Sequence, residues 1–276
     1  MISNDRLIIK FVPIALLLAI LFTLPHVLEA KKKDRNVPHG HFGILPRYKS
    51  GPFDLMLKDS DEEELTGGKA VMKQRQDVAS DGVKGGSGGA ICVQDIEAPK
   101  QAVWNQILRL DEYAKKVPKV IESKNYEVKQ DDRSCFTLKT KQRLGILPGY
   151  SYENYYKHTY TPKDDSLTWH LDYNKKSDFY DVAGHWHLED HPYKTGCTRV
   201  YYACDIEVKT HVPRPVLNFI SSSALRQATA WVKKESELAP DKKIPIEYTL
   251  PEEEEEKVQN GRFTLANKFS NKLQRS

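Results

Sequence analysis

From residue 120 to residue 209 the chain alternates apolar and polar residues with a period of two, in six successive runs, and then the period changes. The runs are VIESKNYEV, CFTLKTKQRL, YSYENYYKHTY, SLTWHLDY, YDVAGHWHL and TRVYYACDIEVK. Pro, Gly and Asp clusters separate them. Successive side chains of a strand point to opposite faces, so these runs read as strands with one buried side. Leu167, Trp169, Leu171 and Tyr173 share a face, and Thr168, His170 and Asp172 take the other. Val182, Gly184, Trp186 and Leu188 share a face, as do Val200, Tyr202, Cys204, Ile206 and Val208. One-faced strands in sequence predict an antiparallel meander. After Pro213 and Pro215 comes VLNFISSSALRQATAWVKKESE, in which Leu217, Ile220, Ala224, Ala228 and Trp231 follow three–four spacing. That stripe predicts a long amphipathic helix, and the inner face of the sheet is its obvious partner.

Upstream, ICVQDIEAP reads as a strand that ends at Pro99, a residue suited to the first turn of a helix. KQAVWNQILRLDEYAKKV then puts Val103, Ile107 and Leu110 on one helical face until Pro118. Residues 31–87 lack sustained periodicity and read as a poorly structured linker, with an early strand near 69–78 and a flexible GVKGGSGGA loop. The acidic run Asp59 to Glu64 inside it reads as solvated. Residues 239–276 read as a charged flexible tail.

The first 30 residues read as a signal peptide or membrane anchor. Arg6 and Lys10 precede the apolar run Phe11 to Leu24, and Lys31, Lys32, Lys33 and Arg35 follow. At ~1.5 Å per residue the run spans roughly 21 Å, short of a ~30 Å hydrocarbon core. Cleavage near Ala30 and retention as an anchor both remain open. The expected location is the secretory pathway or a membrane, with a plastid or mitochondrion as the alternative.

Composition narrows the classes. At 276 residues, 39% hydrophobic and 10% aromatic, the chain is too apolar for disorder throughout. Its net charge of +4 leaves no whole-chain basic footprint for nucleic acid. Cys92, Cys135, Cys197 and Cys204 form no CxxC pair and read as free thiols rather than a zinc site. No GxSxG or HExxH motif and no dinucleotide or phosphate-loop fingerprint occurs.

The order of elements, together with IEAPKQAVW…LRLDEYAKKVPKV (Ile96, Ala98, Pro99, Val103, Trp104, Leu110, Tyr113 and Pro118), GHWHLED…GCTRVYYACDIEVK (Trp186, Thr198, Val200 and Tyr202) and the final helix, resembles the START-like, or polyketide cyclase/dehydrase, helix-grip superfamily. Within it the chain looks most like the coenzyme Q-binding branch. The resemblance covers roughly residues 88–238. It implies an α+β fold in which an antiparallel sheet wraps a long C-terminal helix and leaves a cavity for a lipid, isoprenoid or polycyclic compound. It brings no catalytic motif and no cofactor.

Ten of the fourteen tyrosines lie between Tyr150 and Tyr202. Tyr150, Tyr152, Tyr156 and Tyr160 fall on one strand face with His158. If that face is the inner one, it supplies aromatic area and hydroxyls for a ligand. The residues expected to bind ligand are Tyr152, Tyr156, Trp169, Trp186, Tyr202, Phe219 and Trp231, with Arg143 a possible head-group partner. The RLGILPG tip and the HVPRPV segment are expected to flank an opening. His185 and His187 form an HxH pair opposite Trp186 and read as solvated or hydrogen-bonded surface residues, not metal ligands. Asp172, His170 and Asp181 are the available acid/base groups, and strand parity sends Asp172 and His170 away from the cavity face. The expected function is binding or carriage of a hydrophobic small molecule, with membrane contact and no nucleic acid. A cyclase/dehydrase-like enzyme and a protein-interaction module are the alternatives.

Overall fold

The computed structural model describes residues 37–74, 90–131, 135–147, 149–208, 224–245 and 248. The N-terminal apolar run, the glycine-rich loop, the HVPRPV segment, Phe219 and Glu252–Glu256 lie outside the described residues.

Eight strands form one antiparallel sheet: β1 Val71–Gln74, β2 Ala90–Ile96, β3 Val120–Gln130, β4 Phe136–Leu147, β5 Tyr150–Thr161, β6 Ser166–Leu171, β7 Asp181–Asp190 and β8 Thr198–Glu207. Their order is β1-β2-β8-β7-β6-β5-β4-β3. Strands β3 to β8 are the meander expected from the period of two, and β2 closes the other side by pairing with β8. The helices are α1 Asp59–Thr66, α2 Lys100–Leu108, α3 Tyr113–Lys116 and α4 Ala224–Leu238. Helix α4 packs on β2, β8 and α2, with Leu225, Trp231 and Val232 buried. This is the α+β helix-grip arrangement.

Register follows the predicted parity. Leu138 sits opposite His158, His158 opposite Trp169, and Trp169 opposite Gly184. Gly184 pairs with Cys204 in turn, and Cys92 with Tyr202. These inward side chains join α2 and α4 in the main core, which contains Val103, Trp104, Ile107, Leu138, Tyr160 and Trp186. The early helix is buried nearly all round, from Ala102 to Leu108, rather than amphipathic. It also ends sooner than its pattern, passing through a 3-10 turn at Leu110–Glu112 into α3.

The outer face of the sheet is covered over β1, β2 and β6–β8, while β3 stays largely exposed. Residues 37–57 run across it as an irregular strap. Tyr48, Phe53, Leu55 and Leu57 pack on Ile91, Val93, Tyr201 and Ala203, together with Leu65 of α1 and Val71 of β1. The described part of the region that reads as a linker, residues 37–74, thus packs on the sheet, and β1 Val71–Gln74 lies within the stretch 69–78 where an early strand is expected. The acidic run is helix α1. Its Asp61 carboxylate accepts the Lys58 N–H at 2.7 Å, and its first-turn acids suit the positive end of the helix. Glu62 is held by Arg199 at 2.6 and 2.7 Å, and Arg199 also grips Asp95 of β2 at 2.8 and 2.9 Å. The start of the expected tail is likewise attached. Ile244 and Tyr248 pack on the main core, and Asn105 Nδ2 donates to Lys243 O.

Candidate functional site

Between α4, the α3–β3 turn and the inner face of β4–β8 lies a cavity of about 160 Å³. Its wall is aromatic and aliphatic: Tyr156, Trp169, Phe179, Trp186, Tyr202 and Trp231, with Leu110, Leu144, Leu167, Val182 and Ile206. Rings meet within it. Trp186 and Tyr202 have centroids 4.1 Å apart, Trp169 and Tyr202 5.7 Å, and Tyr113 and Trp231 5.1 Å.

Of the seven residues expected to bind ligand, Tyr156, Trp169, Trp186, Tyr202 and Trp231 line this cavity. Tyr152 does not. It is inward-facing but stacks beside Phe179 at 5.3 Å, one layer behind the wall. Phe219 lies outside the described residues. Arg143 is not at the cavity either: it follows the opposite strand parity to Gln142 and Leu144, and its Nε is 3.9 Å from Glu122 Oε2. Leu144 of the RLGILPG stretch lines the cavity, and the turn Val117–Lys119 forms a lip that the periodicity did not point to. Lys119 holds a left-handed backbone, φ 69°, unusual for a residue with a side chain.

The polar groups inside are neutral. Burial lowers the His158 pKa to about 3, so its ring is uncharged at pH 7. Its Nδ1–H donates to Leu138 O at 3.3 Å, which leaves Nε2 as an acceptor. Burial pushes the Cys204 thiol up to about 12, far from the thiolate range. It raises the Tyr113, Tyr156 and Tyr202 hydroxyls well above the ordinary phenol value. Gln142 and Gln227 add amides. Among the described lining residues Lys119, exposed at the lip, is the single charged side chain, and no carboxylate is present.

The acid/base groups face elsewhere. Asp172 accepts a hydrogen bond from Tyr126 OH at 2.8 Å on the outer side. Asp181 accepts from Ile44 N, Leu45 N and Tyr173 OH at 2.6 to 2.7 Å. His170 stacks on Tyr173. His185 and His187 do point away from Trp186, as parity requires, but they are not solvated. Both are buried. Phe53 lies 4.4 Å from the His185 ring, and both imidazoles approach Ser166 Oγ, at 3.2 and 3.3 Å. With Glu189 3.2 Å from His187 Nε2, this chain has the residue types of a hydrolytic triad. Ser166 is nevertheless fully buried, and its oxygen accepts the Gly51 N–H at 2.7 Å. Its role here is to fasten the strap. Among the described residues no group of His, Cys, Asp and Glu side chains is arranged to hold a metal. Cys92, Cys197 and Cys204 are free thiols, and the Cys135 thiol lies 3.7 Å from Thr161 Oγ1.

No family model matches the chain, and no curated protein matches it in sequence. Similar solved structures include a STAR-related lipid transfer protein from Xanthomonas axonopodis (14% identity, TM-score 0.47, 60% of this chain and 93% of that one). A START superfamily protein from Mycobacterium smegmatis gives 15% identity and a TM-score of 0.44 over 61% of this chain and 97% of that one. The Zhui aromatase/cyclase from Streptomyces sp. R1128 gives 13% and 0.42 over 54% and 93%. These likenesses assign nothing to the site, whose meaning rests on its own lining.

Proposed function

We propose that the protein binds and carries an uncharged hydrophobic small molecule in the cavity under α4. The observation that carries this reading is a wall of aromatic and aliphatic side chains whose interior polar groups are all neutral. An ion placed there would lose its hydration with no counter-charge to meet it. An apolar guest gains about 25 cal/mol for each Å² removed from water. Tyr156, Tyr202 and Gln142 can donate to a carbonyl or hydroxyl, and His158 Nε2 can accept, enough to orient one neutral polar group.

The volume sets the guest's size. A cavity of roughly 150 Å³ takes a benzene-sized molecule. At about 160 Å³ this one holds a single ring or a short chain segment, so a longer isoprenoid or acyl tail extends past the Val117–Lys119 lip. An isoprenoid quinone is one compound of this kind. We further propose that the N-terminal run Phe11–Leu24 delivers the protein to a membrane system or tethers it there. Among the described residues no helix is long and apolar enough to cross a membrane.

Native mass spectrometry of detergent-free full-length protein, followed by solvent extraction, tests the binding role. Added mass that extracts as a neutral lipid or isoprenoid is the expected result. Unadorned protein whose melting temperature is unmoved by saturating isoprenoid alcohols and quinones would overturn it. The enzyme alternative draws no support from a described lining that lacks a carboxylate.

A further inference from the structure

The strap presents an apolar tip that its own packing does not use. Phe42 is 85% exposed and Ile44 53% exposed. The backbone between and beside them is held firmly. Gly43 adopts φ +81°, and a Cβ there would lie 2.4 Å from Tyr173 OH. Ile44 and Leu45 donate to the buried Asp181 carboxylate at 2.6 and 2.7 Å. His41, the preceding residue, packs its ring 4.1 Å from Tyr180. Two large apolar side chains are thus aimed at solvent by a pinned loop rather than by a loose one.

Exposed cations lie on the same strap and on the loop that follows Tyr173. Arg47 and Lys49 are exposed on the same strap, with the Arg47 guanidinium 5.8 Å above the Tyr173 ring. Lys175 is exposed in the loop that leads to β7. Of the neighbouring carboxylates, Asp181 is buried, Asp178 accepts the Glu153 N–H at 2.7 Å, and Glu207, across from Asp181 on β8, is half-buried. In sequence Phe42 lies seven positions after Arg35, the last of the basic cluster Lys31, Lys32, Lys33 and Arg35. Apolar side chains beside an exposed arginine, with further lysines exposed on the same strap and the adjoining loop, match the interface of an anionic bilayer, where rings sink below the headgroups and lysines and arginines meet phosphate or carboxylate. A protein partner would need a broader apolar face than two side chains.

We propose that Phe42 and Ile44 insert into the surface of an anionic membrane, with Arg47 and Lys49 on its headgroups. This orients the domain on the bilayer by a contact separate from the N-terminal apolar run. It deepens the membrane association proposed above and is tested apart from it.

The experiment uses full-length protein with vesicles of phosphatidylcholine alone or with 30% phosphatidylserine, read by flotation and by hydroxyl-radical footprinting. Tyr193, 79% exposed, serves as internal reference. The expected result is at least a fivefold fall in Phe42 and Ile44 oxidation relative to Tyr193 on anionic vesicles. F42D/I44D, at exposed positions that leave the fold intact, should need about tenfold more anionic lipid for half flotation. Flotation with Phe42 oxidation unchanged would overturn the tip and leave the N-terminal tether standing. No flotation of the wild-type chain would overturn both. Protection that appears without vesicles and scales with protein concentration would assign the tip to a second copy of the chain and overturn the membrane contact.

Discussion

Trp169 occupies the space that a side chain on Gly184 would fill. The two are partners across β6 and β7, and a Cβ on Gly184 would lie 2.0 Å from Cζ2 and 2.1 Å from Cε2 of the indole. The glycine is what lets a tryptophan lie against the sheet and still border the cavity. Gly184→Ala must lift the ring toward the cavity or bend β7. The expected cost is about 1–3 kcal/mol in urea unfolding, with reduced ligand occupancy by native mass spectrometry. An unchanged midpoint and occupancy would mean that the ring has room to step aside.

Trp186 and Trp231 face each other's part of the cavity, one from β7 and one from α4. Trp186→Leu and Trp231→Leu each remove ring surface from the wall. Affinity for whichever neutral isoprenoid or lipid is extracted from the protein should fall about tenfold in each, the equivalent of roughly 1.4 kcal/mol. Titration of the two variants, with folding checked by circular dichroism, decides this. Equal affinity in both would move the ligand away from this wall.

Acid should weaken the fold through its buried imidazoles. His158 and His185 both have pKa values lowered to about 3 by burial, against about 6.5 in an unfolded chain. Between those values the unfolded state binds protons that the folded state does not, so stability is full above about pH 6.5 and declines as pH falls toward 3. Each group contributes up to about 1.4 kcal/mol per unit of separation. Denaturant midpoints measured from pH 7 to pH 4 should fall steadily, and His185→Gln should flatten the curve. An undiminished slope in the double variant His158→Gln/His185→Gln would place the effect on the carboxylates.

Arg199 joins three pieces of the chain, Glu62 of α1, Asp95 of β2 and its own β8. Its side chain is 5% exposed. Asp95→Ala would leave a buried guanidinium half satisfied, at an expected cost of about 3–5 kcal/mol. Glu62→Gln, at the more open end, should cost about 1 kcal/mol. Thermal melts of the two variants give the order, and an equal loss would contradict this account.

What the sequence made legible was the inner surface. Trp169, Trp186 and Tyr202 were readable because a period of two fixes which face a side chain takes, and the register carried Tyr156 and His158 to the same wall. Parity cannot say what covers the opposite face. His185 and His187 were assigned the correct side but not its burial, because the strap above them has no repeating pattern. Its apolar residues Tyr48, Phe53, Leu55 and Leu57 pack from an irregular backbone whose hydrogen bonds go to side chains such as Asp181 and Ser166. The cavity lip was hidden for a similar reason. Pro118 announced a break after the early helix, but the left-handed turn that follows falls on Lys119, a residue that does not signal such a conformation.

The strap also fixes where this folding unit begins. The regular sheet-and-helix pattern starts near residue 88, yet a polypeptide cut there would present Ile91, Val93, Tyr201 and Ala203 bare, along with His185 stripped of Phe53. Such a fragment should aggregate on expression, whereas one begun at residue 37 keeps its own lid.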